Sequence, residues 1–140
     1  MNPARNLLIG SMIAMATSVL FARVDPFGDA GPPEAQKSIE GDPIRGKNLF
    51  QKRCTGCHAM TQDREGPRLQ GVYGRISGSV AGFDYSPALK KAHIVWNGTS
   101  LDQWLTNPDT LVPGNNMEFH VANPDERRDL IKFLEHSSGK

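Results

Sequence analysis

The sequence lacks the features that define several common protein classes. Its 140 residues include only two cysteines, Cys54 and Cys57, so a disulfide framework is excluded as the main stabiliser. The formal net charge is only +1, which indicates no nucleic-acid partner. No segment alternates polar and apolar residues as a half-buried strand does. With 38% hydrophobic and 22% charged residues, the composition is that of a globular protein rather than a disordered or fibrous one.

Long apolar runs are also scarce. The longest, residues 7–22, has 16 residues, whereas a membrane span needs about 20. Arg5 precedes it and Arg23 follows it, which is typical of a secretory signal peptide or an uncleaved membrane anchor over residues 1–24. The small-residue cleavage pattern is poor, so both interpretations stay open, with a buried core helix as a third. The first two place the rest of the chain in the bacterial periplasm, either soluble or tethered to the inner membrane.

Residues 25–40 are rich in Pro, Gly and Ala and have no apolar period, so they are predicted to form a linker. From residue 41 to residue 140 the pattern is helical. Capping residues predict helix starts at Asp42-Pro43, Ser86-Pro87, Thr99 or Ser100, and Asn123-Pro124. Asn107-Pro108 is expected to end the third helix. Gly46 lies inside the first helix, where glycine costs about 1 kcal/mol, so we expect another backbone to cross closely there.

One motif carries chemistry. Cys54, Cys57 and His58 form the C-x-x-C-H pattern of c-type haem attachment. Two thiols one helical turn apart can each add to one vinyl group of a haem, and the next residue then places its imidazole within reach of the iron. The long stretches 59–85 and 108–122 are predicted to be loops, which need a ligand to fill them in so small a domain.

Other uses of a cysteine pair fit less well. A dithiol oxidoreductase carries its pair beside strands, and no strand pattern flanks this one. A structural zinc site needs four ligands, and no second cysteine pair completes the set.

A haem iron bound by His58 has one axial position left. The candidates are the three remaining histidines and a methionine, namely His93, His120, His136 and Met117. Met60 is too close to His58 in sequence to reach the opposite face of a haem, and the other methionines lie in the N-terminal segment. Met117 is therefore favoured, with His120 as the rival ligand, although a buried Met is often only a gap-filler.

Residues 41–136 resemble class I cytochromes c, in the branch of mitochondrial cytochrome c and bacterial cytochrome c2. The matching segments occur in family order and are GDPIRGKNLF, CTGCH, GPRLQGVYGR, AGFDYSPA, IVW, LTNP, VPGNNMEF and DERRDLIKFLE. The resemblance implies an all-α class I cytochrome c fold over residues 41–140, with helices and long loops wrapped around one covalent haem. It implies a monomeric electron carrier rather than an enzyme, which passes single electrons between membrane or periplasmic redox proteins or respiratory complexes.

The resemblance also implies residue roles. Cys54 and Cys57 correspond to the thioether positions, and His58 and Met117 to the axial ligands. Pro67 corresponds to the residue whose carbonyl accepts the N–H of the axial imidazole. The groups that bind the haem propionates correspond to Arg75, Tyr85 and Trp96.

Two departures from the family bear on the methionine. Trp104 stands where the family usually has a tyrosine whose hydroxyl contacts the methionine sulfur, and an indole N–H can only donate. Asn115 stands where a threonine is usual. The lost tyrosine contact keeps open a haem enzyme or gas-binding haem protein from which Met117 dissociates. A separate alternative is a fixed electron-transfer subunit of a membrane complex, with the N-terminal segment as its anchor.

Overall fold

The computed structural model describes residues 40–140, so the predicted segment 1–24 and all but the last residue of the predicted linker 25–40 lie outside the described residues. The described range contains five helices: α1 (Pro43–Arg53), α2 (Pro87–Ala92), α3 (Gly98–Thr106), α4 (Pro108–Leu111) and α5 (Pro124–Ser137). Its one isolated β-bridge pairs Ile76 with Val95. The all-α prediction is confirmed. None of the described helices is long and apolar enough to cross a membrane.

Local capping explains where most helices begin. The side chains of Asp42, Ser86 and Asn123 accept hydrogen bonds from first-turn N–H groups of α1, α2 and α5, and proline follows each of them. These three predicted starts are confirmed. The predicted start of α3 is wrong by one or two residues, because Asn97 is its cap. Asn97 and Ser100 form a capping box in which each side chain bonds the other's backbone N–H.

The segment after α3 departs from the sequence-based expectation. Asn107 ends α3 as predicted, but its side chain also accepts a hydrogen bond from the Thr110 N–H at 3.1 Å. Asn107 thereby caps the short helix α4, in which Pro108 occupies the first turn. The predicted loop 108–122 was therefore wrong at its start, since it opens with one helical turn.

The contact between α1 and α5 organises the core. A Cβ atom placed on Gly46 would lie 1.9 Å from the backbone oxygen of Asp129, so the two helices cross with backbone nearly against backbone. This confirms the close approach predicted for Gly46. The rings of Phe50 and Phe133 meet beside the crossing, with centroids 5.5 Å apart, and Leu130 is buried there. The two helices thus bury apolar side chains on both sides of a tight crossing.

An ion pair reinforces the same contact. The Asp129 carboxylate, whose side chain is 9% exposed, accepts hydrogen bonds from the Asp42 N–H at 2.7 Å and the Arg45 Nε at 2.8 Å. Burial by itself raises the pKa of Asp129, but the bonds from Arg45 and Asp42 outweigh it and hold the pKa below its ordinary value of 3.8. The start of α1 is therefore tied to α5 by charge as well as by packing.

Candidate haem site

The end of α1 presents the cysteine pair and the histidine together. Cys54 caps α1 through its N–H, which bonds the carbonyl of Phe50. The N–H groups of Cys57 and His58 then both bond the Cys54 carbonyl, at 3.2 and 2.8 Å. This turn continues the helix and keeps the three side chains on one short stretch of chain. Both cysteines are free thiols, Cys54 half-buried and Cys57 exposed.

The environment of the two thiols raises the pKa of both. Burial raises the pKa of Cys54 to about 11, and the charge of Arg53 opposes that rise only in part. The pKa of Cys57 is raised mainly by a hydrogen bond from its thiol to Glu65, with an Sγ–Oε2 distance of 3.5 Å. Dithiol oxidoreductases depend on a lowered cysteine pKa, so this geometry disfavours that alternative.

The His58 ring is held in one orientation. Its Nδ1 lies 2.8 Å from the Pro67 carbonyl oxygen, which can only accept, so Nδ1 carries the proton and Nε2 has a free lone pair. Burial is the main cause that lowers the pKa of His58, while Pro67 and Glu65 partly oppose it. A half-buried neutral imidazole with an open nitrogen is a good metal ligand.

Gly66 is a site residue that sequence reasoning missed. A Cβ atom on Gly66 would lie 2.2 Å from the His58 Cε1, so the imidazole rests against the bare backbone of this glycine. The Gly66 N–H also bonds the Cys57 carbonyl at 2.8 Å, which ties this loop to the cysteine turn. The sequence does contain a signal for this role, because Gly66 directly precedes Pro67, the residue expected to orient the His58 ring.

Met117 lies half-buried in the loop between α4 and α5 and is held at two points. The indole Nε1 of Trp104 donates to its sulfur, with an N–S distance of 3.1 Å. The Met117 N–H donates to the Oδ1 of Asn115 at 2.6 Å. The contact that the family usually makes through a tyrosine hydroxyl is therefore replaced in this chain by an indole N–H.

The rival histidines offer no comparable setting. His93, His120 and His136 are all exposed, and His93 follows α2 with a positive φ of 48°. Within residues 40–140 no group of three or more His, Cys, Asp or Glu side chains could hold a metal ion, so the zinc alternative has no ligand set there.

The structure brings together the three residues expected to bind haem propionates. The guanidinium of Arg75 donates to the carbonyls of Gln70 and Arg68 at 3.2 and 2.9 Å, and burial lowers its pKa. Its backbone carbonyl accepts the Trp96 N–H at 2.9 Å. Tyr85 is close enough to interact electrostatically with Arg75, and burial raises the pKa of its hydroxyl. A half-buried cation beside a phenol suits a carboxylate.

The same region joins the methionine side of the site. The rings of Trp96 and Trp104 pack at 5.3 Å between centroids, and both residues are buried. Trp96 thus lies between Arg75 on one side and the tryptophan that contacts Met117 on the other.

The sequence model of the family described as "Cytochrome c" matches residues 44–138, which include every residue of this site. The chain belongs to the cytochrome c family. It is 45% identical over 103 residues to cytochrome c 2.1 of Caenorhabditis elegans, an alignment covering 71% of this chain and 93% of the relative. It is 41% identical over 108 residues to cytochrome c of Arabidopsis thaliana, covering 74% and 96%.

A solved bacterial structure is also similar. Cytochrome cH from Methylobacterium extorquens superimposes with a TM-score of 0.65 at 35% sequence identity, covering 69% of this chain and 99% of that chain. The class I cytochrome c fold and the carrier rather than enzyme class are thereby confirmed, as is a covalently bound haem c. The residues fit that group, since the matched region holds two cysteines outside any disulfide, an imidazole with an open nitrogen and a methionine thioether.

Proposed function

We propose that this cytochrome c binds one haem through thioether bonds to Cys54 and Cys57, with His58 and Met117 as axial ligands. The observation that carries the proposal is the 2.8 Å contact between His58 Nδ1 and the Pro67 carbonyl. This contact leaves the Nε2 lone pair free to bind a metal, on a histidine that directly follows the cysteine pair. Fixed tautomer and fixed orientation are what an axial imidazole requires.

The protein's own groups would keep that site rigid while its charge changes. Haem iron supplies the one-electron couple. The Gly66 backbone and the Pro67 carbonyl hold the His58 ring, and Trp104 and Asn115 hold Met117. A thioether opposite an imidazole favours the reduced state more than a second imidazole would, so we expect a comparatively high reduction potential.

Arg75, Tyr85 and Trp96 are proposed to bind the haem propionates. The support is their mutual arrangement, with the Arg75 guanidinium close to the Tyr85 phenol and the Trp96 N–H bonded to the Arg75 carbonyl. A propionate would neutralise the Arg75 charge, whose burial is otherwise unfavourable.

The carrier is proposed to work as a monomer in the bacterial periplasm, soluble after signal cleavage or tethered through residues 7–22. Redox proteins or respiratory complexes would be its donor and acceptor. Phe119, two residues beyond Met117, is 40% exposed and offers an apolar contact next to the methionine loop. Weak, transient docking over a small contact area is typical of electron-transfer encounters.

The axial ligands can be tested on the haem-loaded protein, produced in a bacterium that attaches c-type haem. Intact mass should show one added haem and will reveal whether residues 1–24 are retained. The ferric protein should show the weak far-red absorption band of sulfur–iron charge transfer. The reduced protein should resist carbon monoxide at neutral pH.

Matched variants sharpen this test. Met117→Ala should lose the far-red band and bind carbon monoxide, whereas Met60→Leu, in the loop after the cysteine motif, should do neither. A wild-type protein that lacks the band and binds carbon monoxide readily would replace the carrier proposal with the gas-binding alternative. Detergent-free recovery in the periplasmic fraction would contradict a fixed membrane subunit.

A further inference from the structure

Trp104 is immobilised before it contacts Met117. It lies on α3 between the buried residues Leu101 and Leu105, is itself 8% exposed, and packs on Trp96. Its Nε1 donates to the methionine sulfur at 3.1 Å. A core-packed indole has little freedom to turn away, and its N–H has no acceptor capacity. The sulfur therefore faces a hydrogen-bond donor that is fixed in orientation and cannot act as an acceptor.

The chemical consequence falls on the electrons of the sulfur. A thioether sulfur has two lone pairs, and the bond from Trp104 occupies one of them. A sulfur that accepts a hydrogen bond from an N–H loses electron density, which makes it a poorer electron-pair donor to a cationic metal. That weakening is greater towards the oxidised metal, so the bond favours the reduced state.

Asn115 acts on the other end of the same residue. Its Oδ1 accepts the Met117 N–H at 2.6 Å, while its Nδ2 donates to the Asp109 carboxylate at 2.9 Å and to the Val112 carbonyl at 3.0 Å. Asp109 belongs to α4, so one amide side chain ties the methionine backbone to a helix. None of these bonds involves the sulfur.

We propose that Trp104 and Asn115 are positioning residues with separate effects on Met117: the indole sets the donor strength of the sulfur, and the asparagine sets how firmly the loop keeps the sulfur in place. This inference rests on the proposed role of Met117 as a ligand. The separation follows from the hydrogen bonds, because Trp104 bonds the sulfur of Met117 and Asn115 bonds its backbone N–H.

The test crosses two pairs of variants with two measurements on the haem-loaded protein. Trp104→Phe and Trp104→Tyr differ by one hydroxyl, so loss of core volume affects both alike. Asn115→Ala is matched by Asn116→Ala, a neighbouring exposed residue for which no side-chain hydrogen bond is described within residues 40–140. The measurements are the reduction potential and the Kd of imidazole for the ferric protein, read from loss of the far-red band.

Trp104→Phe should shift the ratio of reduced to oxidised protein at a given potential about fivefold towards the oxidised form, the size expected for one hydrogen bond. For a one-electron couple this lowers the potential by about 40 mV, and Trp104→Tyr should restore most of it. Asn115→Ala should leave the potential unchanged but tighten imidazole binding about tenfold, whereas Asn116→Ala should do neither.

A Trp104→Phe protein with the wild-type potential would overturn the role of Trp104. Imidazole binding to Asn115→Ala no tighter than to Asn116→Ala would overturn the role of Asn115. Failure of the ligand assignment itself gives a different result, because the wild-type protein would then lack the far-red band and Met117→Ala would leave the potential unchanged.

Discussion

The crossing of α1 over α5 leaves no room for a side chain at Gly46, which makes Gly46→Ala a demanding test of the fold. The added Cβ would lie 1.9 Å from the Asp129 oxygen and 2.8 Å from the Phe133 Cβ, whereas ordinary contacts begin at 3.4 Å. The helices would therefore have to separate by about 1.5 Å, since backbone cannot rotate away as a flexible side chain can.

Two opposing contributions decide how much Gly46→Ala changes the free energy of unfolding. Alanine is favoured over glycine inside a helix by about 1 kcal/mol. Overpacking in a well-packed core costs about 1–3 kcal/mol and occasionally more, and separation of the helices also loosens the Phe50–Phe133 ring pair. Because the clash is with backbone, we expect the larger cost to win, with a net loss of about 2 kcal/mol. In a domain of this size that lowers Tm by about 10 °C.

Denaturant unfolding of the ferric haem-loaded protein, followed by circular dichroism, measures this loss. Gly98→Ala is the matched control, because its Cβ would be 3.8 Å from the Tyr73 hydroxyl, an ordinary contact, in the first turn of α3. We expect that control to be as stable as wild type or slightly more stable. A Gly46→Ala protein that unfolds at or above the wild-type midpoint, with the same m-value, would refute the close crossing.

Three further changes have clear expected outcomes. Gly66→Ala should push the His58 ring away from its position and markedly reduce low-spin haem, measured by the ferric absorption spectrum, with a normal spectrum contradicting the packing. His93→Gly should stabilise the protein by about 1 kcal/mol in thermal unfolding, because it relieves the positive φ of 48° after α2, and a loss of stability would speak against that strain. Asp129 has a folded pKa below its unfolded value, so its contribution is present at neutral pH and is lost as pH falls through the folded pKa. Asp129→Asn should therefore cost about 1–2 kcal/mol at pH 7 through the bonds to Arg45, and this cost should shrink as the pH falls through the folded pKa of Asp129. A cost that does not change with pH would show that the charge of Asp129 does not contribute.

Helix starts could be predicted from the sequence because capping is local. Asp42-Pro43, Ser86-Pro87 and Asn123-Pro124 each combine a side-chain acceptor with a proline that needs no N–H partner, and the structure begins a helix at each. The same logic failed at Asn107-Pro108, where one dipeptide both ends α3 and starts α4. A stop signal and a start signal share residue types there, so pattern alone could not separate them.

The candidate site divides in a similar way. Sequence spacing indicated the cysteine pair and the histidine, because the attachment chemistry demands neighbours along the chain. The support of His58 by the Gly66 backbone and of Met117 by Trp104 depends on segments that fold towards each other from a distance. Such contacts depend on how the chain packs, and a sequence identifies a hydrogen-bond donor without showing which acceptor it reaches. The change from tyrosine to tryptophan at position 104 could be read in the sequence, but the hydrogen bond from the indole to the Met117 sulfur could not.

The pairing of α1 with α5 also bears on the order of events at the ribosome. Cys54 and Cys57 leave the ribosome directly after α1. The helix that packs on α1, α5, is the last of the five described helices to be synthesised. Until then a stretch of some seventy residues has to close a loop before the crossing at Gly46 can form, at a cost in chain entropy. α1 therefore has no packing partner at Gly46 until the whole of α5 has been synthesised.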